Sequence, residues 1–273
     1  MAARYLTLNL ALAAVLSVSP ALASGYPVTE LQLQDRTRVM RTTSGAAQQI
    51  KLSWSTDQTI NMVALWYTNV STSGATIRVQ RFSDSAFTTS IADTGTVNAF
   101  PYSGISANAQ TNSDEFRVYK NISQYLSTLT NVRSMIITIT DTSNVFGYFE
   151  ASHLFVGKYV EFAQQFTWGG MKFRPANTTI NERADDVSII SDKGGNYVVL
   201  ELNHDEVQEA DWEELATLLS EAAGDRLIWM SLYPGDGTSK EMRNQHAGKI
   251  MAASGIDAYL YKTHRASMTF ESN

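Results

Sequence analysis

The sequence predicts a mainly β protein made of two β-sandwiches, the second carrying one packed α-helix. Three observations lead there. Short runs rich in Val, Ile, Thr and aromatic residues alternate apolar and polar positions from residue 26 to about 157, with Ser, Thr, Asn and Gly between them. An aromatic, glycine-broken segment over 158–180 interrupts this pattern. A single amphipathic stretch of helical period follows it. These divide the chain into domains at 1–157 and 158–273, with the helix at about 204–223.

The clearest strands of the first part are Ile50–Trp54, Ile60–Tyr67, Ala75–Phe82, Phe116–Tyr119, Ser134–Thr140 and Gly147–Val156. Thr76, Arg78 and Gln80 alternate with Ile77 and Val79, so one face is wet and the other buried. Residues 98–113 hold Pro101, Gly104, Asn108 and Asn112 with few large aliphatics and read as an exposed loop. In the second part, Tyr197–Leu202 reads as a strand. Asn203 then reads as an N-cap, with Glu206 three residues on in a capping box. Trp212, Leu215, Leu219 and Ala222 fall on one helix face, and Gly224 is the stop. Strands at Arg226–Tyr233, Lys249–Ala253 and 257–270 complete the order, with a turn at Pro234–Gly237.

The N-terminus admits two readings. Arg4, the apolar run Leu6–Val18 and the small residues Ala21 and Ala23 have the order of a secretory signal. Tyr5, Thr7 and Asn9 alternating with Leu6, Leu8 and Leu10 have the period of a strand, and the strand is the preferred expectation.

A net charge of -6 argues against nucleic-acid binding, which needs a basic face. With no Cys, disulfides, thiolate metal sites and Cys nucleophiles are excluded. There is no Gly-x-Ser-x-Gly elbow. The four histidines His153, His204, His246 and His264 lack metal-site spacing. His153 reads as a strand residue with a local hydrogen bond. Asp205, Glu206 and Glu209 read as partners of a helix N-terminus rather than glycosidase carboxylates. Asp141–Asn144 and Asp236–Gly237 read as turns rather than calcium loops. The sequons at Asn69, Asn121 and Asn177 arise readily in so hydroxyl-rich a chain. No enzyme, cofactor or metal site is expected.

Gly25-Tyr26-Pro27, Leu31, Asp35, Arg36-Thr37-Arg38 and Arg41-Thr42-Thr43 precede the strand Met62-Val63-Ala64-Leu65 and then Asn69. This order resembles the discoidin-like, galactose-binding-like jelly-roll domains of distal tail and minor tail proteins in the baseplates of long-tailed phages. Met40 stands where that pattern has an aromatic. The later strand, helix, strand, loop, strand-strand order is similar to their tail-tube-like domain. The resemblance implies a virion structural protein: a ring on the tail axis, hexameric or, nearer the tip, trimeric. Its partners would be tail tube and hub proteins, and its outer sandwich would meet a protein or a host-surface glycan.

Interface candidates are Arg36, Arg38 and Arg41; Phe166, Trp168, Phe173 and Arg174 in the connector; and Lys240 and Arg243 in the 234–248 loop. The blander readings are a solvated strand edge for the arginines and an interdomain core for the aromatics. A rival function is a secreted carbohydrate-binding protein or adhesin. Trp54, Trp66, Tyr67 or Phe100-Pro101-Tyr102 would then stack on sugar.

Overall fold

The structure, a computed structural model, describes residues 3–6, 8–33, 35, 37–45, 47–70, 74–100, 121–162, 171–177, 180–183, 189–192, 196–223, 226–238, 240–241, 244–253, 257–260 and 263–272. The protein is mainly β, with two compact units and, among the described residues, one α-helix. The first unit comprises Ala3–Glu161 with Trp229–Gln245. The second comprises Phe162–Ile228 with His246–Asn273.

In the first unit the strands are β1 (Arg4–Leu6), β2 (Val15–Ser19), β3 (Met40–Arg41), β4 (Gln48–Trp66), β5 (Thr76–Phe82), β6 (Ser90–Asp93), β7 (Val97–Asn98), β8 (Ile122–Thr140), β9 (Glu150–Ala151), β10 (His153–Gly157) and β11 (Tyr159–Glu161). The main sheet runs β10-β4-β8-β5-β6, with β2 also on β4 and β7 on β5. The two runs expected at 50–54 and 60–67 are one 19-residue strand, β4, which shifts register against β8 between Ser53 and Met62. Such bulges bend a long strand and let it serve two packing environments. Alternation does the rest: Ile50, Leu52, Val63, Leu65, Ile77, Val79, Ile137, Ile139, Leu154 and Val156 point into one apolar core. Met40 is fully buried in that core, where its flexible thioether packs among aliphatic side chains.

The N-terminal stretch is built into this unit. Only Arg4–Leu6 forms the expected strand. Tyr5 stands opposite Val160 on one side and Met230 on the other. Leu8 is exposed, and Leu10–Ala13 is a 3-10 turn. The reason is Asn9. Its carboxamide accepts from Ala11 N and Val156 N and donates to Leu154 O, which turns the chain out of the strand. Gln32 Nε2 donates to Ala11 O and Ala14 O, and Trp54 Nε1 donates to Leu10 O.

In the second unit, β12 (Met171–Asn177), β13 (Ile180–Arg183), β14 (Ile189–Asp192), β15 (Asn196–Gln208), β17 (Gln245–Ala253), β18 (Asp257–Leu260) and β19 (Thr263–Ser272) are strands, while β16 (Ile228–Ser231) pairs with β1 and falls mostly in the first unit. β15 lies between β12 and β19, and β19 also pairs with β17 and β18. Gly248 stands where any Cβ would lie 1.9 Å from Glu271 O, so close strand approach excludes a side chain there.

The helix departs from expectation. α1 spans Trp212–Ala223 after a 3-10 turn at Glu209–Asp211. Asn203 and His204 instead continue β15, opposite Ser267 and Ala266. Cross-strand pairing with β19 overrides the local capping box. Trp212 is 41% exposed and tilts over His264, while Leu215 and Leu218 are buried. The buried face is therefore rotated from the expected one. Trp212 lies at the first turn, where its side chain leans back toward the N-terminus.

Candidate functional site

The sequence segments Gly25-Tyr26-Pro27 and Arg41-Thr42-Thr43 meet at one place in the first unit. Gly25 takes a left-handed turn, φ +83°. Ala23 N then donates to Arg41 O. Arg41 lies in β3, whose partner is β9, so Arg41 stands opposite Glu150. Its Nε and Nη2 donate to the same oxygen, Glu150 Oε2, at 2.9 and 2.6 Å. The guanidinium carbon lies 4.2 Å from the Tyr26 ring centre and 4.4 Å from that of Tyr148. The arginine is thus held between two aromatic rings with a carboxylate on one edge. Burial pulls the Arg41 pKa down, but the Glu150 hydrogen bond and charge outweigh it and raise it.

The neighbouring loop carries the aromatic surface further. Phe146 and Tyr148 pack with ring centres 6.1 Å apart, and Phe146 is 48% exposed. Asn144 shapes this loop. Its Oδ1 accepts from Phe146 N, its Nδ2 donates to Asn69 O, and its N donates to Asp141 O. Asp141–Asn144 is a turn, as expected, with Gly147 at φ +70° closing it.

Asn69 ties the loop after β4 to this platform. Its Nδ2 donates to Tyr148 O at 2.8 Å and its Oδ1 accepts from Glu150 N at 2.7 Å. Asn69 is buried with its carboxamide occupied, so it offers nothing to a glycosyl donor. Thr42 acts similarly: its N donates to Phe149 O and its Oγ1 accepts from Phe149 N.

The other expected site residues are dispersed. Arg38 follows a turn in which Asp35 Oδ1 accepts from Thr37. It is not on a strand, and its guanidinium stands 3.5 Å from Glu30. Arg36, Phe166, Trp168 and Arg243 lie outside the described residues, as do Pro101, Tyr102 and Phe116–Tyr119. Phe173 and Arg174 are exposed on β12. Lys240 Nζ sits 3.8 Å over the Tyr233 ring, and Asn244 Nδ2 donates to Lys240 O, so this loop folds onto itself. Trp54 and Trp66 are buried and cannot stack on a sugar. Tyr67 is half-buried, in left-handed backbone at φ 51°.

His153 is buried on β10, as a strand residue, but neither ring nitrogen makes a hydrogen bond of good geometry, contrary to expectation. Burial lowers its pKa, offset only in part by the Ser152 backbone and the Asp35 charge. Tyr148, Phe146 and Glu150 were not singled out from the sequence, and Tyr26 was noted only in the Gly25-Tyr26-Pro27 segment of the resemblance. The aromatic pair Phe146 and Tyr148 on either side of Gly147 was the available signal.

Among the described residues no group of three His, Asp or Glu could hold a metal ion, and no helix is long and apolar enough to cross a membrane. No protein-family model matches the sequence, and a search among curated proteins finds no relative. Solved structures that align with part of this chain include chitosan-binding module 1 of a Paenibacillus sp. IK-5 chitosanase/glucanase (16% identity, 55% of this chain and 99% of that one, TM-score 0.39). A Streptococcus pneumoniae fucose binding module gives 14% identity over 55% of this chain and 94% of its own, TM-score 0.38. A Ruminococcus gnavus GH29 fucosidase gives 15% identity over 56% of this chain and 27% of its own, TM-score 0.39.

Proposed function

We propose that this chain is a non-catalytic recognition protein whose first unit binds carbohydrate at the Tyr26–Arg41–Tyr148–Glu150 platform. The carrying observation is the arginine held between two tyrosines, with a carboxylate beside it and exposed Phe146 alongside. Sugar recognition needs an apolar ring for the C–H face and fixed polar groups for the hydroxyls, and both are present here. The platform is set by Asn69, Thr42 and Asn144 before any ligand arrives, which lowers the ordering cost of binding. The test is an array of immobilised neutral and acidic oligosaccharides probed with the full chain. Dose-dependent binding that falls at least tenfold in Phe146→Ala and in Arg41→Ala supports the reading. Silence across the array contradicts it.

A second reading, a tail-tip structural protein of a long-tailed phage, is favoured by one observation. The two segments that carry that resemblance fold against each other at Tyr26 and Arg41. It predicts a ring-sized oligomer, hexamer or trimer, in solution or in isolated tails. A monomer absent from virions contradicts it. The two readings are compatible if the platform is the outer face of a receptor-binding tail.

A further inference from the structure

We infer that the outer edge of β2 (Val15–Ser19) is an association surface for a second copy of this chain, docked β2 against β2, antiparallel, about a two-fold axis. The inference stands apart from the carbohydrate reading and does not depend on it.

β2 pairs with β4 on one side, and among the described residues no strand lies on its other side. Such an edge presents N–H and C=O groups ready to pair with another chain. Folded proteins guard it with charge, proline or a covering group. Outer strands elsewhere in the chain are guarded in those ways. β12 carries Lys172, Arg174 and Pro175, and β6 ends at Asp93. On β10, the Asn9 carboxamide occupies Val156 N and Leu154 O. β2 has no such guard. It reads Val-Leu-Ser-Val-Ser, inside a stretch from Tyr5 to Thr29 without one charged residue.

The core is also unfinished at this edge. Leu16 and Val18 pack against it yet stay partly exposed. On the opposite face Val15 is 73% exposed. Leu12 and Leu33 are exposed beside the start of the strand, where Gln32 Nε2 bonds Ala11 O and Ala14 O. Apolar surface gathered in this way marks a contact site.

The strand is its own complement. Paired antiparallel over its full length with Ser17 on the axis, Leu16 stands opposite Val18 of the partner subunit, and Val18 opposite its Leu16. Each core-facing residue gains an apolar neighbour. On the outer face Val15 meets Ser19 of the partner subunit, so no like charges oppose. Lys51, opposite Ser17 on β4, is separated from its counterpart by both β2 strands. A two-fold contact uses the same patch on both copies and closes on itself, which consumes the edge.

The experiment is sedimentation velocity of the full chain over a concentration series. The wild-type chain should dimerise as concentration rises. Val15→Lys combined with Ser19→Lys sets lysine opposite lysine twice and should weaken association at least tenfold. Val15→Glu combined with Ser19→Glu should do the same. An equal mixture of the two variants should recover the dimer, because each Lys then meets a Glu. Both positions are exposed, so circular dichroism and denaturation midpoints should match the parent. Ser17→Cys places the sole thiol of a Cys-free chain on the axis. Mild oxidation should link it into a covalent dimer faster than it links Ser55→Cys, exposed on β4. A wild-type chain that stays monomeric across the series overturns the inference. So does an oligomer of unchanged size in both charged variants, or a mixture that stays apart. If the charged variants fail to fold, the cross-linking decides alone, and equal rates at 17 and 55 overturn the inference.

Discussion

Asn69 holds Glu150 in place from across the sandwich end: its Oδ1 accepts from Glu150 N at 2.7 Å, and its own N donates to Glu150 O at 3.1 Å. The residue that presents the platform's carboxylate is thus fixed by a buried side chain 81 positions earlier. Asn69→Ala leaves the backbone groups of Tyr148 and Glu150 without their partner. A buried polar group left so costs about 1–3 kcal/mol. The expected outcome in chemical denaturation is a loss of about 2 kcal/mol, accompanied by weaker saccharide binding. A variant as stable as the parent contradicts the assignment.

The N-terminal segment is a structural member of the first unit. β2 pairs with β4 from Val15 opposite Ser53 to Ser19 opposite Gln49. Ala11 is fully buried, and Trp54 Nε1 relies on Leu10 O. A chain lacking residues 1–23 should lose cooperative unfolding and expose apolar surface, read by dye binding. In the full chain, Asn9→Leu should cost about 2–3 kcal/mol by removing hydrogen bonds to buried backbone. A truncated chain that unfolds like the parent would contradict this placement.

On α1 the exposed and buried positions separate two substitutions. Leu218→Ala should cost about 2–5 kcal/mol, as core leucine truncations do. Trp212→Ala should cost about 1 kcal/mol or less, since the ring is 41% exposed. Melting of the two variants checks the order, and a larger loss at Trp212 would restore the helix face read from the sequence.

Two buried histidines set a pH dependence. Burial lowers the pKa of His153 and brings that of His246 to about 4. The unfolded chain, with histidines near 6.5, then binds more protons than the folded one below that pH. Their contribution is full above about pH 6.5 and is lost as the pH falls toward 4. Denaturation midpoints should drop through that window, and His246→Gln should flatten part of the drop. Stability that is level from pH 7 to pH 4 would contradict the burial of both rings in neutral form.

Much of the fold was legible because strand alternation is local. Ile77 and Val79 point inward and Thr76, Arg78 and Gln80 outward, as their order predicts. The helix start was not legible. Asn203 and Glu206 have the chemistry of a cap, but β19, more than fifty residues later, claims that backbone for a strand. Half of the site was legible too. Arg41 stands out as a cation in a basic, hydroxyl-rich run. Tyr148 and Glu150 are joined to it by the β3–β9 register, and Tyr26 by the backbone hydrogen bonds of Ala23 and Tyr26 with Arg41. Nothing in a single sequence fixes that register.

The most direct test follows the Arg41 Nε–H resonance while a saccharide selected from the array is titrated into the labelled chain. Nε donates to Glu150 between two tyrosine rings, so its shift reports any ligand seated on the platform. The account predicts a saturable shift with the same dissociation constant as calorimetry, abolished in Glu150→Ala. Saccharide binding that leaves the Arg41 resonance unmoved would put the site elsewhere and contradict the account.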